Sequence, residues 1–261
     1  MRTTMLACLL MGCTGGEGSA PETGTPAETG APVETGAPDN DATDDVGGLV
    51  IRQLKPDVAL ADFEAARDAY VAALEAQPGI STDREFEAFV DFGTFAAPEP
   101  AVFIGFTQGD SLAAFQAAAD AVGTTPEAAT FFGSFDLVTF GLLAPLEAGT
   151  PVDLAGIASE EGQILEVAVR DFSTYPDFDL AAYEAARDTF LPILGAQPGV
   201  VAEFQWISPA DPNLAVGMTV YTDQASYVAV ATDEKLTGSP EYIAFVQGYP
   251  LAAGYAATVV K

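Results

Sequence analysis

The stretch FEAARDAYVAALEAQPGI, Phe63–Ile80, is written a second time as YEAARDTFLPILGAQPGV, Tyr183–Val200. Glu64, Ala65, Ala66, Arg67, Asp68, Leu74, Ala76, Gln77, Pro78 and Gly79 return unchanged as Glu184, Ala185, Ala186, Arg187, Asp188, Leu194, Ala196, Gln197, Pro198 and Gly199. Phe63 against Tyr183, Tyr70 against Phe190 and Ile80 against Val200 keep size and polarity. The chain is therefore one structural unit used twice. Phe63, Ala66, Tyr70, Ala73 and Leu74 recur at helical spacing on one face, and Gln77-Pro78-Gly79 stops the helix.

Working outward, the first unit reads as a strand over Leu49–Leu54 and a helix over 58–76 with Asp57 offered as its cap. Strands Glu85–Phe92 and Ala101–Thr107 follow. Next come a helix opened by Asp110-Ser111, another opened by Thr125-Pro126-Glu127, and a strand near Leu137–Leu143. The second unit repeats the order: strand Ile164–Phe172, cap Pro176-Asp177, and helix Phe178–Ala196, which Pro192 should kink or shorten. Strands Val201–Ile207 and Leu214–Tyr221, a helix opened by Asp223, the start signal Ser239-Pro240-Glu241 and strand Ala252–Val260 complete it. The glycine pair Gly47-Gly48 reads as the junction with what precedes. Each unit is β-α-β-β-α-β, the ferredoxin-like order of an α+β protein. Its helices cover one sheet face and leave the other bare. Two copies in one polypeptide can close sheet against sheet, so units 48–147 and 163–261, joined by link 148–162, are expected to form one intramolecular α/β barrel. The expected state is a monomeric pseudo-dimer.

Residues 1–12 read as a secretory leader. Arg2 supplies the positive end and Met5–Met11 the apolar run, and Leu10-Met-Gly-Cys13 resembles a bacterial lipobox. The resemblance implies acylation of Cys13, a lipid-bilayer partner and a place in the bacterial cell envelope, with Thr14 favouring the outer membrane. Residues 13–47 then form a tether. Three hexamers beginning at Glu22, Glu28 and Glu34, rich in Pro, Gly and Thr, carry too little apolar surface to fold.

Thirty-eight acidic residues against nine basic ones give a net charge of −29, which repels phosphate backbones and excludes nucleic-acid binding as the function. There is no histidine, and both cysteines precede the folded units, Cys8 in the leader and Cys13 directly after it. The body thus lacks the commonest general base, the commonest zinc ligand and any thiol nucleophile. No metal and no cofactor are expected.

Arg52 and Arg170 occupy matching strands (Val50-Ile-Arg52 against Ala168-Val-Arg170). One or both could project into the barrel and hold an anionic or phenolic ligand; the alternative is that they pair with carboxylates or sit at a frayed strand end. Trp206 could stack on a flat ligand or fill the core. Tyr221, Tyr227 and Tyr242 could donate hydrogen bonds to a ligand or be buried with a backbone partner. Arg67 and Arg187 read as ion-paired to Glu64 and Glu184 along the helix.

The succession of helix, Gln-Pro-Gly, two strands, Tyr221-Thr-Asp223-Gln-Ala225 and Ser239-Pro240-Glu241 resembles the antibiotic biosynthesis monooxygenase family of the dimeric α/β barrels, over nearly all of 48–261. The resemblance implies cofactor-free addition of oxygen to activated phenols. Where that family commonly has a tryptophan and a histidine, this chain has Tyr221 and Tyr242, with Phe106 and Ala128 in the first unit. Histidine-ligated haem chemistry, found in relatives, is excluded. Three readings follow: a lipid-tethered barrel that binds a small, mostly apolar ligand or serves as an interaction module; a monooxygenase acting on a phenol or quinol; and a purely structural domain.

Overall fold

The computed structural model describes residues 45–146, 152–175 and 177–261. The leader, Cys13, the hexamer repeats and the start of the link lie outside these residues.

The duplicated helices are α1 (Leu60–Glu75) and α4 (Leu180–Gly195). Each ends in the same turn for the same reasons. Gln77 and Gln197 donate their side-chain amides back to the Ala73 and Ile193 carbonyls at 3.0 and 2.9 Å. Gly79 and Gly199 then take φ of +81° and +87°, which a side chain would oppose. A Cβ on Gly79 would also come within 2.6 Å of Ala114. Several local expectations fail. Helix α1 starts at Ala59 without a side-chain cap, and α4 is capped by Asp179, whose carboxylate accepts from the Ala182 amide. Pro192 does not shorten α4, which has the same 16 residues as α1. Arg67 and Arg187 pair with the adjacent Asp68 and Asp188 rather than with the glutamates one turn back.

Around them run β1 (Val46–Leu54), β2 (Ile80–Asp91), β3 (Val102–Gly109) and β4 (Phe135–Pro145) in the first unit. The second has β5 (Ile164–Asp171), β6 (Val200–Ile207), β7 (Leu214–Tyr221) and β8 (Ala253–Val259). Gly47 and Gly48 belong to β1 rather than to a junction. Helices α2 (Leu112–Gly123) and α3 (Pro126–Gly133) lie outside the first sheet. Helices α5 (Gln224–Ala231), α6 (Glu234–Thr237) and α7 (Pro240–Tyr242), the last continued by a π-helical turn at Ile243–Gln247, lie outside the second. Ser111, Thr125, Asp223 and Ser239 cap the helices they were read to open.

The eight antiparallel strands close into one barrel in the order β1-β3-β2-β8-β5-β7-β6-β4. The bare faces of the two sheets meet inside it. Leu49, Ile51, Phe86, Ile104, Phe106, Leu165, Val167, Val169, Trp206, Val216 and Met218 are all buried there as one apolar cluster. The two seams differ. Strand β2 pairs with β8 at five positions from Phe86 to Asp91, whereas among the described residues β6 pairs with β4 only through Trp206 and Ile207. The cause is Ser208-Pro209, which ends β6 where β2 continues, since proline offers no amide to a ladder.

The link is part of the core. Val152, Leu154, Ile157 and Ala158 are buried against the barrel residues. Gln108 holds it by donating to the Val152 carbonyl (2.8 Å) and accepting from the Leu154 amide (3.0 Å). Arg84 donates to the carbonyls of Ala155 and Ala158, both at 2.9 Å. The end of a barrel this apolar needs a cover, and the link supplies it.

Candidate functional site

Alternation along a strand sends successive side chains to opposite faces. With Leu49 and Ile51 inside the barrel, Val50 and Arg52 must face the helices. With Leu165, Val167 and Val169 inside, Glu166, Ala168 and Arg170 do the same. This corrects the expectation that Arg52 and Arg170 enter the barrel. The interior is packed, and the available space lies on the other side of each sheet, beneath the helices.

Pairing shows the two arginines to be structural equivalents. Arg52 lies opposite Phe103 on β3, and Arg170 opposite Ala215 on β7. The neighbouring rungs correspond as well. Val50, Gly105 and Glu85 form one in the first unit, matched by Ala168, Gly217 and Gln205; Gly48, Thr107 and Asp83 form the next, matched by Glu166, Thr219 and Glu203.

In the first unit this face is closed. Arg52, 1% exposed, forms an ion pair with Glu85, which is 2% exposed. Gly105 makes room for the pair, since a Cβ there would lie 2.4 Å from the guanidinium. The rings of Phe131 and Phe135 cover the guanidinium at 5.0 and 5.7 Å. Phe115 lies over Gly48 so closely that a Cβ would come within 2.5 Å of its ring. A space of about 80 Å³ remains. Asp83 lies beside it, accepting from the Thr107 hydroxyl at 2.7 Å. Burial above all, then repulsion from Glu85, pushes its carboxyl up to about 7. The other carboxylate oxygen, Oδ2, is buried without a partner among the described residues.

That elevation has a sign. The folded protein binds a proton that the unfolded chain releases near pH 4, so stability falls as pH rises from about 4 to about 7 and levels off above. Asp83→Asn is expected to raise the unfolding midpoint at pH 8 and to bring no gain at pH 4. Urea denaturation at both values measures this, and an equal effect at both would refute it.

The second unit keeps the arginine and changes what surrounds it. Gln205 stands where Glu85 would be, so Arg170, 3% exposed, has no carboxylate partner among the described residues. Its Nε donates to the Tyr249 carbonyl at 3.2 Å, and its guanidinium lies 4.4 Å from the centre of the Phe245 ring. That ring comes from the π-helical turn Ile243–Gln247, where the first unit has regular α-helix. Such turns inside helices recur at functional positions. Glu166 occupies the place of Gly48, and Tyr227 stands in that of Phe115 with its ring packed against Tyr221 at 5.4 Å and Phe89 at 5.8 Å. The result is a cavity of about 270 Å³. Phe190, Leu191, Leu194 and Phe245 line it with apolar surface. Phe92 and Phe95, from the loop after β2 of the first unit, reach its rim. Phe95 is 85% exposed.

Glu166 is half-buried at the cavity wall and accepts the Tyr221 hydroxyl on Oε2 at 2.7 Å. Burial pushes its carboxyl above the usual range, opposed by the Tyr221 hydrogen bond and by Arg170. Tyr221 is itself pushed up, by burial first and then by the Glu166 charge. Glu203, two strands away on the same rung, is raised to about 7 by burial and then by Glu166. Arginine stays charged in proteins, so the cavity holds a lasting positive charge and, in Glu166, a carboxyl that resists ionisation.

No family model matches the chain, and no curated protein does. Solved structures do. A protein assigned as a chlorite dismutase aligns over 83% of this chain and 95% of its own, with 9% identity and a TM-score of 0.53. An anthrone oxidase-like protein aligns over 84% and 92%, with 10% identity and a TM-score of 0.52. A Fusobacterium nucleatum protein assigned as a monooxygenase aligns over 83% and 93%, with 11% identity and a TM-score of 0.50. The fold is a dimeric α/β barrel. At these identities the likeness speaks for the fold alone.

In this dimeric α/β barrel the candidate residues singled out from sequence fall in three places. Arg170, Tyr221, Tyr227 and Tyr242 line the larger cavity. Arg52 lies in the closed face of the first unit. Trp206 is buried inside the barrel beside Phe204 and lines neither cavity. Sequence reasoning missed Glu166, Gln205 and Glu203. The signal was available in the alignment of the repeats, where Gly48 becomes Glu166 and Glu85 becomes Gln205.

Proposed function

We propose that the second unit binds a small, mostly apolar organic anion in the cavity between its sheet and helices, and that the first unit serves as its scaffold. The observation that carries this is the exchange of Glu85 for Gln205, which leaves Arg170 buried without a carboxylate partner among the described residues. A buried charge is tolerated only with compensation. Here the Phe245 face and one carbonyl provide part, and a ligand's anionic group would provide the rest. At about 270 Å³ the cavity falls just below the roughly 300–1,000 Å³ of drug-sized sites, which suits one or two rings.

Titration of the full chain with 2-naphthoate, followed by calorimetry, should show one site per chain. Ala168→Phe places a ring on the cavity floor and should abolish binding while leaving circular dichroism unchanged. Two sites, or unaltered affinity in that variant, would overturn the proposal. The same titration run in an oxygen electrode tests the second reading, a cofactor-free oxygenase. Glu166 favours that reading, being a carboxyl of raised pKa beside an apolar space and so suited to take a proton from a bound phenol. The resembled structures named as an anthrone oxidase-like protein and a monooxygenase point the same way. Oxygen uptake with quinols separates enzyme from binder.

We further propose that acylated Cys13 tethers the barrel to the cell envelope, on the strength of the leader sequence. Cys13→Ser should move the protein from the membrane to the soluble fraction, and continued sedimentation with membranes would refute the anchor.

A further inference from the structure

The cavity has two polar ends with an apolar middle. Glu166 and Arg170 project from the same face of β5, four residues apart, which at about 3.3 Å per residue places their Cα atoms roughly 13 Å apart. Between them the floor is Ala168 and Gly217, low enough for a flat body to lie on the sheet. The Gln205 amide borders it, 3.2 Å from where a Gly217 Cβ would be. At one end the Arg170 Nε donates to the Tyr249 carbonyl, leaving both Nη groups, paired donors that a carboxylate can match end-on. At the other end Tyr221 takes Oε2 of Glu166, and no described residue bonds Oε1. Tyr227 packs edge-on to Tyr221 at 5.4 Å and holds that ring in place.

We infer that the occupant is a flat aryl carboxylate bearing a hydroxyl at its far end, the carboxylate on Arg170 and the hydroxyl on Glu166. This rests on the cavity being a ligand site and adds the second anchor. A hydroxyl suits Glu166 in either protonation state, because it donates to a carboxylate and accepts from a carboxylic acid. A second carboxylate there would meet Glu166 as a like charge or hold it protonated, so dianions are disfavoured. A ligand without the hydroxyl leaves Oε1 unpaired in an enclosed site, which is costly.

The test is a titration of the full chain with 6-hydroxy-2-naphthoate, 2-naphthoate and 2-naphthol. The hydroxy acid should bind about 10- to 100-fold more tightly than 2-naphthoate, the range expected for one hydrogen bond to a charged group. In Glu166→Leu the ratio between the two acids should fall to about one. If 2-naphthoate binds and the hydroxyl brings no advantage, or if the advantage survives Glu166→Leu, the second anchor is overturned while the ligand site stands. If neither acid binds, the ligand site itself fails and this inference with it. Comparing the ligands on the unaltered protein separates these outcomes even if the variant does not fold.

Discussion

Replacing Glu85 with alanine is expected to lower the stability of the barrel by about 3–5 kcal/mol, the usual consequence of leaving a buried charge without its partner. For a folded body of this size the unfolding midpoint should drop on the order of 10 °C. Arg52 is 1% exposed, sealed under Phe131 and Phe135, and no other carboxylate pairs with it among the described residues. It cannot lose its proton, so the variant must admit water or unfold. The double replacement Arg52→Met with Glu85→Leu should return stability close to that of the parent, because removing both charges removes the desolvation cost as well. Thermal unfolding of the three proteins decides the matter. A midpoint for Glu85→Ala within about 2 °C of the parent would mean that the pair is not buried as described.

The equivalent arginine should behave in the opposite way. Arg170→Met removes a buried charge that has no carboxylate partner among the described residues, so the fold should lose little or gain slightly, the methionine keeping contact with Phe245. Affinity for 2-naphthoate should fall about 30- to 3,000-fold, as 2–5 kcal/mol is typical when one side of a buried charge pair is truncated. Unchanged affinity would remove Arg170 from the site. A parallel collapse of stability would make it a structural residue like Arg52. The two experiments together ask whether one duplicated arginine has taken two roles.

Much of the fold was legible from the repeat. Once Phe63–Ile80 and Tyr183–Val200 were matched, element order followed, and Ser111, Thr125, Asp223 and Ser239 marked helix starts that the structure confirms. The functional face was not legible. Val50-Ile-Arg52 and Ala168-Val-Arg170 read as nearly continuous apolar runs because both faces of each sheet are buried, and such a run does not say which side an arginine takes. The burial of the link was not legible for a related reason: Leu154 and Ile157 are placed by the need to cover the end of the barrel, which no local pattern announces.

The duplication, the acid surface, the lack of histidine and the Gln-Pro-Gly turns are properties of the linear chain, because each depends on residues close in sequence or on composition alone. Whether an arginine is neutralised or left open depends on Glu85 and Gln205, far from Arg52 and Arg170 along the chain and adjacent only across paired strands. That contact exists only once the barrel has closed, since the pairing register decides which side chains meet over Gly105 and Gly217.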